Sequence, residues 1–272
     1  MCLTPYIAKE INGKLKMITK EELKKFNWNN FDNEKHGLIK CGKCKECLKE
    51  KQIELINRIK MEKSFWEENI VLTATYNNEN LKNLNIEDLQ KFYKRMRNNG
   101  YKIRYFHAGE LGETTKRAHY HIILFNYKPK DETFYKETKK GTQQLISAEL
   151  NKIWGMGLVT HGTLTDKAIY YVVKYMLKGL GKKNTLYGWS RKPPLGINQE
   201  MFEKLEQLIK TEKHLPKCYK NYYERITGEE IKLTIEEINE RHNNKMEKIK
   251  NIEDQTKENY KTYLRKRAKY LT

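Results

Sequence analysis

The run His119-Tyr120-His121-Ile122-Ile123-Leu124-Phe125 constrains this chain more than any other stretch. It ends in bulky apolar residues, partly β-branched, and reads as a buried strand. Successive side chains on a strand take opposite faces, so His119 and His121 share one. At about 3.4 Å of rise per residue their imidazoles lie roughly 7 Å apart, close enough to hold one metal ion between them. The turn-forming segment Gly112 to Arg117 precedes them, which allows Glu110 to sit on a neighbouring strand beside the pair. Two imidazoles and a carboxylate, with positions left for water or phosphate, suit a hard or borderline divalent cation.

A second stretch has helical spacing: Tyr171-Val172-Val173-Lys174-Tyr175-Met176-Leu177-Lys178. Tyr171 and Tyr175 fall on one face of such a helix, and Lys174 and Lys178 on another. A tyrosine can act as a covalent nucleophile, and a nearby lysine can hold a phosphate or lower the phenol's pKa. Taken singly these patterns are ordinary. A His-Tyr-His triplet occurs in strands with no chemistry, and paired tyrosines on an apolar helix are more often packing. The combination with Glu110 carries the functional reading.

The order of these motifs resembles the HUH family of single-stranded-DNA endonucleases, and within it the rolling-circle replication initiators of microviruses. The resemblance rests on Gly109-Glu110-Leu111-Gly112, on Arg117-Ala118-His119-Tyr120-His121 and on Tyr171-Val172-Val173-Lys174-Tyr175. Leu72-Thr73-Ala74-Thr75-Tyr76 is similar to the family's first-strand motif, and the Cys41-Gly42-x-Cys44-x-x-Cys47 run is also usual there. The chain departs from the family at Ser190 to Gly196, where Pro194-Leu195-Gly196 replaces Gly-Ile-Gly. The resemblance covers roughly residues 1 to 196. It implies a magnesium or manganese ion at Glu110, His119 and His121. Tyr171 and Tyr175 would be alternating nucleophiles, with Lys174 or Lys178 holding phosphate or phenolate. It also implies single-stranded origin DNA as substrate, and a host polymerase and helicase as partners, since no Walker motif is present. A plasmid or transposon enzyme of the same family is a nearby reading; the cysteine run and paired tyrosines favour the phage type.

Charge points the same way. With 54 Lys and Arg against 35 Asp and Glu, the net charge is +19 and the pI about 9.5, which suggests a polyanionic partner such as nucleic acid. No run reaches the roughly 18 apolar residues needed to span a bilayer, and the N-terminus carries no secretory pattern. A cytoplasmic location without disulfides is therefore expected.

The spacing of Cys41, Cys44 and Cys47 is of metal-binding type, with Cys2 able to supply a fourth thiolate to zinc. An iron–sulfur cluster or reduced thiols at a helix start are the alternatives. Cys218 reads as a small core residue.

Along the chain, residues 1 to 40 look irregular apart from a short helix near Glu21 to Phe26. A long amphipathic helix is predicted over Leu48 to Glu68. A strand over Ile70 to Tyr76, a helix Ile86 to Asn98 capped by Asn85, and strands Tyr101 to Ala108 and His119 to Asn126 follow. Residues 127 to 146 read as an exposed insertion. Ser147 caps a helix to Trp154, Gly157 to Leu164 is a strand, and Thr165 or Asp166 caps the tyrosine helix. The order β-α-β-β-α-β predicts an α+β fold, a ferredoxin-like antiparallel sheet with two helices on one face. The expected organisation is a Cys-rich segment and long helix over 1–69, a core over 70–196, and a basic helical extension over 197–272. The last of these ends in a basic stretch with interleaved tyrosines from Lys261, which either binds nucleic acid or is a solvated tail.

Tyr170 should pack, and His36, His161, His214 and His242 should be incidental. His107 is a candidate to support Glu110. A non-catalytic alternative is a single-strand-binding module with a zinc knuckle, its bases stacking on Tyr76, Tyr105 and Phe106. Such a module would need neither the histidine pair nor Tyr175.

Overall fold

The structure is a computed structural model that describes residues 6–11, 14–25, 36–42, 44–81, 83–112, 116–138, 141–178, 186–205 and 216–229. Its contacts divide it into two units, with the boundary between Lys51 and Gln52.

In the first unit, β1 (Tyr6–Ile11) is the centre of a three-stranded antiparallel sheet, flanked by β2 (Lys14–Met17) and β3 (His36–Ile39). This corrects the expectation of an irregular N-terminal region. Short strands interrupted by lysines carry little periodic signal, and pairing rather than propensity makes them strands. The short helix α1 (Lys20–Lys25) follows Thr19, whose hydroxyl accepts from the Glu22 amide while the Glu22 carboxylate accepts from the Thr19 amide. That reciprocal pair is a capping box. The cysteine run leads into α2 (Lys45–Ser64).

The second unit is built on a seven-stranded antiparallel sheet in the order β10-β5-β6-β4-β9-β8-β7. Its members are β4 (Asn69–Thr75), β5 (Arg104–Leu111), β6 (Ala118–Phe125), β7 (Glu132–Glu137), β8 (Gln143–Ser147), β9 (Val159–Thr163) and β10 (Leu186–Trp189). The strands expected of the β-α-β-β-α-β unit are the adjacent block β5-β6-β4-β9. The whole sheet is larger than the four-stranded one expected. Residues 127 to 146 are not an irregular insertion; they form the β7–β8 hairpin, which joins β9 through Leu145 opposite His161. The hairpin's outer strand is almost wholly exposed, so it lacks the apolar alternation by which a half-buried strand is recognised.

Each face of this sheet is covered by helices. On one face lie α3 (Ile86–Asn98) and α4 (Ala148–Trp154). In α3, Leu89, Phe92, Tyr93 and Met96 recur at helical spacing and are buried against Leu72, Tyr120, Ile122, Leu124 and Trp154. Asn85 caps this helix by accepting from the Glu87 amide, and Ser147 caps α4 by accepting from the Leu150 amide. Gly155, in the left-handed conformation, closes α4. At Gly157, with φ of +151°, an added Cβ would lie 2.2 Å from the Thr75 carbonyl oxygen, so only glycine lets the chain pass so close to β4.

The opposite face carries the second half of α2 and α5 (Asp166–Lys178). Leu55, Ile56 and Ile59 of α2 and Ile169, Val172 and Val173 of α5 pack with Phe106, Ala108, Ile123 and Phe125. Thr165 caps α5 by accepting from the Ala168 amide. Lys60 of α2 pairs with Asp166 at 2.6 Å, tying the two helices together. Past α5 the chain forms β10, then α6 (Gln199–Glu203) and α7 (Lys217–Thr227). No helix among the described residues is long and apolar enough to cross a membrane.

Candidate functional site

Register decides what the second face presents. Glu110 of β5 is paired with His119 of β6, Ala108 with His121, and Thr73 of β4 also with His121. Because faces alternate, Glu110, His119 and His121 emerge together at one end of the sheet, beyond the apolar row Phe106, Ala108, Ile123 and Phe125. The Nε2 of His119 lies 3.0 Å from Glu110 Oε1, and the Nε2 of His121 lies 3.6 Å from the same oxygen. One ligand atom from each of the three residues falls within 4.8 Å of the others. The imidazoles stand at 89° with centroids 5.0 Å apart.

Each imidazole is oriented from behind. His119 Nδ1 is 3.3 Å from the Arg117 carbonyl oxygen, and a ring donating there keeps Nε2 as its lone-pair nitrogen. His121 Nδ1 lies 3.2 Å from the Thr73 hydroxyl. Burial pushes the His121 pKa below its ordinary value, so the ring is held neutral. Burial also works against charge on Glu110, but pairing with His121 and His119 outweighs it and holds the carboxyl below the usual carboxylate range. The result is an ionised carboxylate facing a neutral imidazole. The Nε2 of His121 is buried with no hydrogen-bond partner among the described residues. A lone pair in that position fits a cation, as does the mixed nitrogen and oxygen donor set.

The tyrosines come from α5. Its apolar stripe, Ile169, Val172 and Val173, faces the sheet, which turns Tyr171 and Tyr175 to the flank next to the histidines. The Tyr175 ring stacks on His121 with centroids 4.5 Å apart, and the Tyr171 ring meets His121 edge-on at 5.3 Å. The Tyr175 hydroxyl donates to the Tyr171 hydroxyl at 2.7 Å. Tyr171 is 51% exposed, so the phenol accepting that bond is open to solvent. Lys174 is exposed on the same helix; Lys178 is its last residue, and its side chain lies outside the described residues.

Several sequence expectations change here. His107 does not support Glu110. It is one register step off, so it points to the α3 face, where Nδ1 lies 2.9 Å from the Tyr93 hydroxyl and burial drives its pKa down to about 3. His161, opposite Leu72, is buried and distant from the triad's face in the same way. His214 and His242 lie outside the described residues. Tyr170 is not packed: it is half exposed, with the Lys60 ammonium over its ring. The stacking platform of the binding-module alternative is incomplete, because Tyr76 and Phe106 are buried on opposite faces. Thr73 was missed as a positioning residue. Its signal was available, since pairing its strand in register with β6 places it against His121.

The cysteines form a separate cluster in the first unit. Ligand atoms of Cys41, Cys44 and Cys47 lie within 4.8 Å of one another, the Cys44 amide donates to Cys41 Sγ at 3.3 Å, and all three are free thiols. An amide donating to sulfur stabilises a thiolate, which suits a metal ligand. Cys2, the expected fourth ligand, lies outside the described residues, as does the basic stretch beyond Lys261.

With that geometry in view, comparison with known proteins is specific. Residues 69–180 match the family model for replication-associated protein ORF2/gene 2 protein, an interval running from β4 to just past α5. The replication-associated protein VP4 of Bdellovibrio phage phiMH2K is 32% identical over 155 residues, which cover 53% of this chain and 49% of VP4. ORF4 of Chlamydia phage 1, also a replication-associated protein, is 32% identical over 177 residues, covering 58% of this chain and 44% of the relative. The replication-associated protein ORF2 of Spiroplasma virus 4 is 31% identical over 161 residues, or 54% and 50% of the two chains. The match thus spans about half the length of these curated relatives. No solved structure matches the chain. The resemblance to phage replication initiators drawn from the motifs holds over the interval that carries the triad and the tyrosines.

Proposed function

Taking the chain as a relative of phage replication-associated proteins, we propose that it is an HUH-type endonuclease that starts rolling-circle replication by nicking single-stranded origin DNA. The observation that carries this reading is the meeting of Glu110, His119 and His121 with two phenols that touch His121. A structural site would need the triad without the tyrosines, and a packing pair of tyrosines would not leave one of them half exposed.

Glu110, His119 and His121 would hold magnesium or manganese, which when bound polarises the scissile phosphate and offsets charge developing on its oxygens. The rest belongs to the chain. Tyr171, accepting a hydrogen bond from Tyr175, loses its phenolic proton more readily because that bond stabilises the phenolate. Its oxygen attacks phosphorus, the bond from phosphorus to the 3′ oxygen breaks, and that oxygen leaves as a hydroxyl after taking up a proton. The products are a 5′-phosphotyrosyl link and a free 3′ hydroxyl that a host polymerase can extend. The new ester retains the energy of the old one, so the reverse attack rejoins DNA without a nucleotide cofactor. Tyr175, one turn away, serves the second transfer, and holding both phenols at one centre removes the entropy cost of a second encounter. Lys174 and Lys178 supply positive charge for the phosphate. In the first unit, zinc on Cys41, Cys44 and Cys47 with Cys2 would staple the N-terminal segment.

The test is incubation of the full chain with manganese and a single-stranded oligonucleotide carrying the cognate phage origin. A covalent protein–DNA band, together with a released strand that polymerase extends, is expected. Tight binding with neither product would favour the non-catalytic binding module.

A further inference from the structure

A cavity of about 260 Å³ in the second unit lies apart from the triad and is lined by Arg58, Arg191, Arg225, Trp189, Tyr222 and their neighbours. Three guanidinium groups share one small recess with two aromatic rings. Arg58 is the telling member. It is 6% exposed, and only one of its nitrogens has a good acceptor: Nε donates to the Leu195 carbonyl at 3.3 Å. Nη1 lies 3.9 Å from the Glu54 carboxylate, and Nη2 is buried with no hydrogen-bond partner among the described residues. A buried guanidinium with an unmet donor is costly, and an anion is the ligand that relieves it. The fold spends several contacts on keeping it there. Glu62, 1% exposed, is not its partner: that carboxylate is taken by Arg104 at 2.5 Å and by the Gly196 amide at 2.8 Å. At Gly196, with φ of +82°, a Cβ would fall 2.4 Å from the Tyr219 hydroxyl and 3.0 Å from the Arg58 carbonyl oxygen. The Ser190 to Gly196 loop is therefore built against Arg58, and this is the segment where the sequence departs from its family's motif.

The aromatic rings are held by the same cations. The Arg58 guanidinium sits 5.7 Å from the Trp189 ring centroid, and that of Arg225 sits 5.2 Å from Tyr222. Trp189 is on β10, where it pairs with Phe106 of β5, while Glu110 lies four residues further along β5. At about 3.3 Å per residue, the recess is roughly 13 Å along the strand direction from the triad. Trp189 and Tyr187 pair with Phe106 and Ala108, so both rings emerge on the triad's face, with Tyr187 between the recess and the triad.

We propose that this recess binds one backbone phosphate of single-stranded DNA outside the scissile step, with the adjoining base against Trp189 or Tyr222. The proposal rests on the nicking reading for the identity of the polymer. Arginine is suited to the task because its fork matches phosphate oxygens and its plane stacks on rings. A base on an aromatic ring adds sequence-tolerant affinity. A second grip on the strand fixes which phosphate reaches Glu110, His119 and His121.

The test uses the full chain without added divalent metal, so that no cleavage occurs. Binding of a fluorescent single-stranded oligonucleotide is measured across a salt series for wild type and for Arg191→Gln/Arg225→Gln, both of which are exposed side chains. Loss of one phosphate contact should lower the magnitude of the slope of log affinity against log salt by about 0.7. In parallel, an oligonucleotide carrying 5-iodouracil is photo-cross-linked to wild type and the adducts are mapped. An adduct on Trp189 or Tyr222 is expected. An unchanged slope, or cross-links that avoid both rings, overturns the proposal. A chain that never nicks DNA can still pass this test, so its failure and the failure of the nicking reading are separate results.

Discussion

The central sheet has two faces that carry histidines to different ends. On the α3 and α4 face, His107 is sealed against Tyr93 and Tyr105, with ring centroids 5.8 and 5.6 Å away, inside a core that includes fully buried Phe92, Tyr120 and Trp154. On the α2 and α5 face the apolar packing stops at Ala108 and Ile123, and the next residues outward are Glu110, His121 and His119. Both His107 and His121 are buried and pushed toward the neutral form. One has a single phenol for company and nothing ionised beside it. The other faces a carboxylate, a threonine hydroxyl, two phenols and an unmet lone pair. Burial alone makes a histidine structural; burial next to a charged ligand set at the edge of the core makes it a candidate for chemistry.

That contrast can be broken by substitution, and the largest stability change belongs to the sealed face. Phe92→Ala should cost about 3–5 kcal/mol by urea denaturation, through lost burial and the cavity left behind. Glu62→Ala, which removes the buried carboxylate bridging Arg104 and the Gly196 amide, should cost a similar or slightly smaller amount, about 3 kcal/mol, because it strands a cation. His107 supplies a pH-dependent term. Its folded pKa of about 3 lies below the ordinary value, so the unfolded chain binds the proton more tightly. Stability should fall as pH drops from about 6.5 toward 3, by up to about 1.4 kcal/mol per pH unit, and His107→Gln should flatten that component in pH-dependent melting. On the open face the order reverses. Tyr171→Phe/Tyr175→Phe should change stability by less than about 1 kcal/mol yet reduce covalent adduct formation to background. Tyr171→Phe alone should lose more of the first cleavage than Tyr175→Phe. Tyr170→Phe, one residue from a proposed nucleophile but turned toward Lys60, should alter neither stability nor cleavage.

Much of this was legible in the residues. The predicted helix Ile86 to Asn98 and its Asn85 cap agree with α3 at both ends, and Ser147 to Trp154 with α4, because cap chemistry and 3.6-residue periodicity are local signals. The triad was legible for a similar reason. His119 and His121 share a face by alternation, and the short Gly112 to Arg117 turn leaves Glu110 opposite them. Contacts that depend on long-range pairing were not legible. The N-terminal sheet and the β7–β8 hairpin lack apolar alternation, and their strands are made by their partners. Nothing near Arg58, Glu62 or Arg104 signals that these charges are buried together with a loop more than 80 residues further on. The exposure of Tyr170 followed from its angle on the helix, which was read correctly as off the Tyr171 face; what it meets there, Lys60, is a long-range fact.

The central claim is that α5 supplies the nucleophile to a cation site on the open face. The direct measurement is proteolysis of the covalent adduct formed on origin DNA, followed by mass spectrometry of the nucleotide-bearing peptide. The account predicts a phosphonucleotide on Tyr171, or on Tyr175 in Tyr171→Phe, and no adduct in His121→Ala although that variant remains folded. An adduct on any residue outside Asp166–Lys178, or undiminished adduct in His121→Ala, would contradict it.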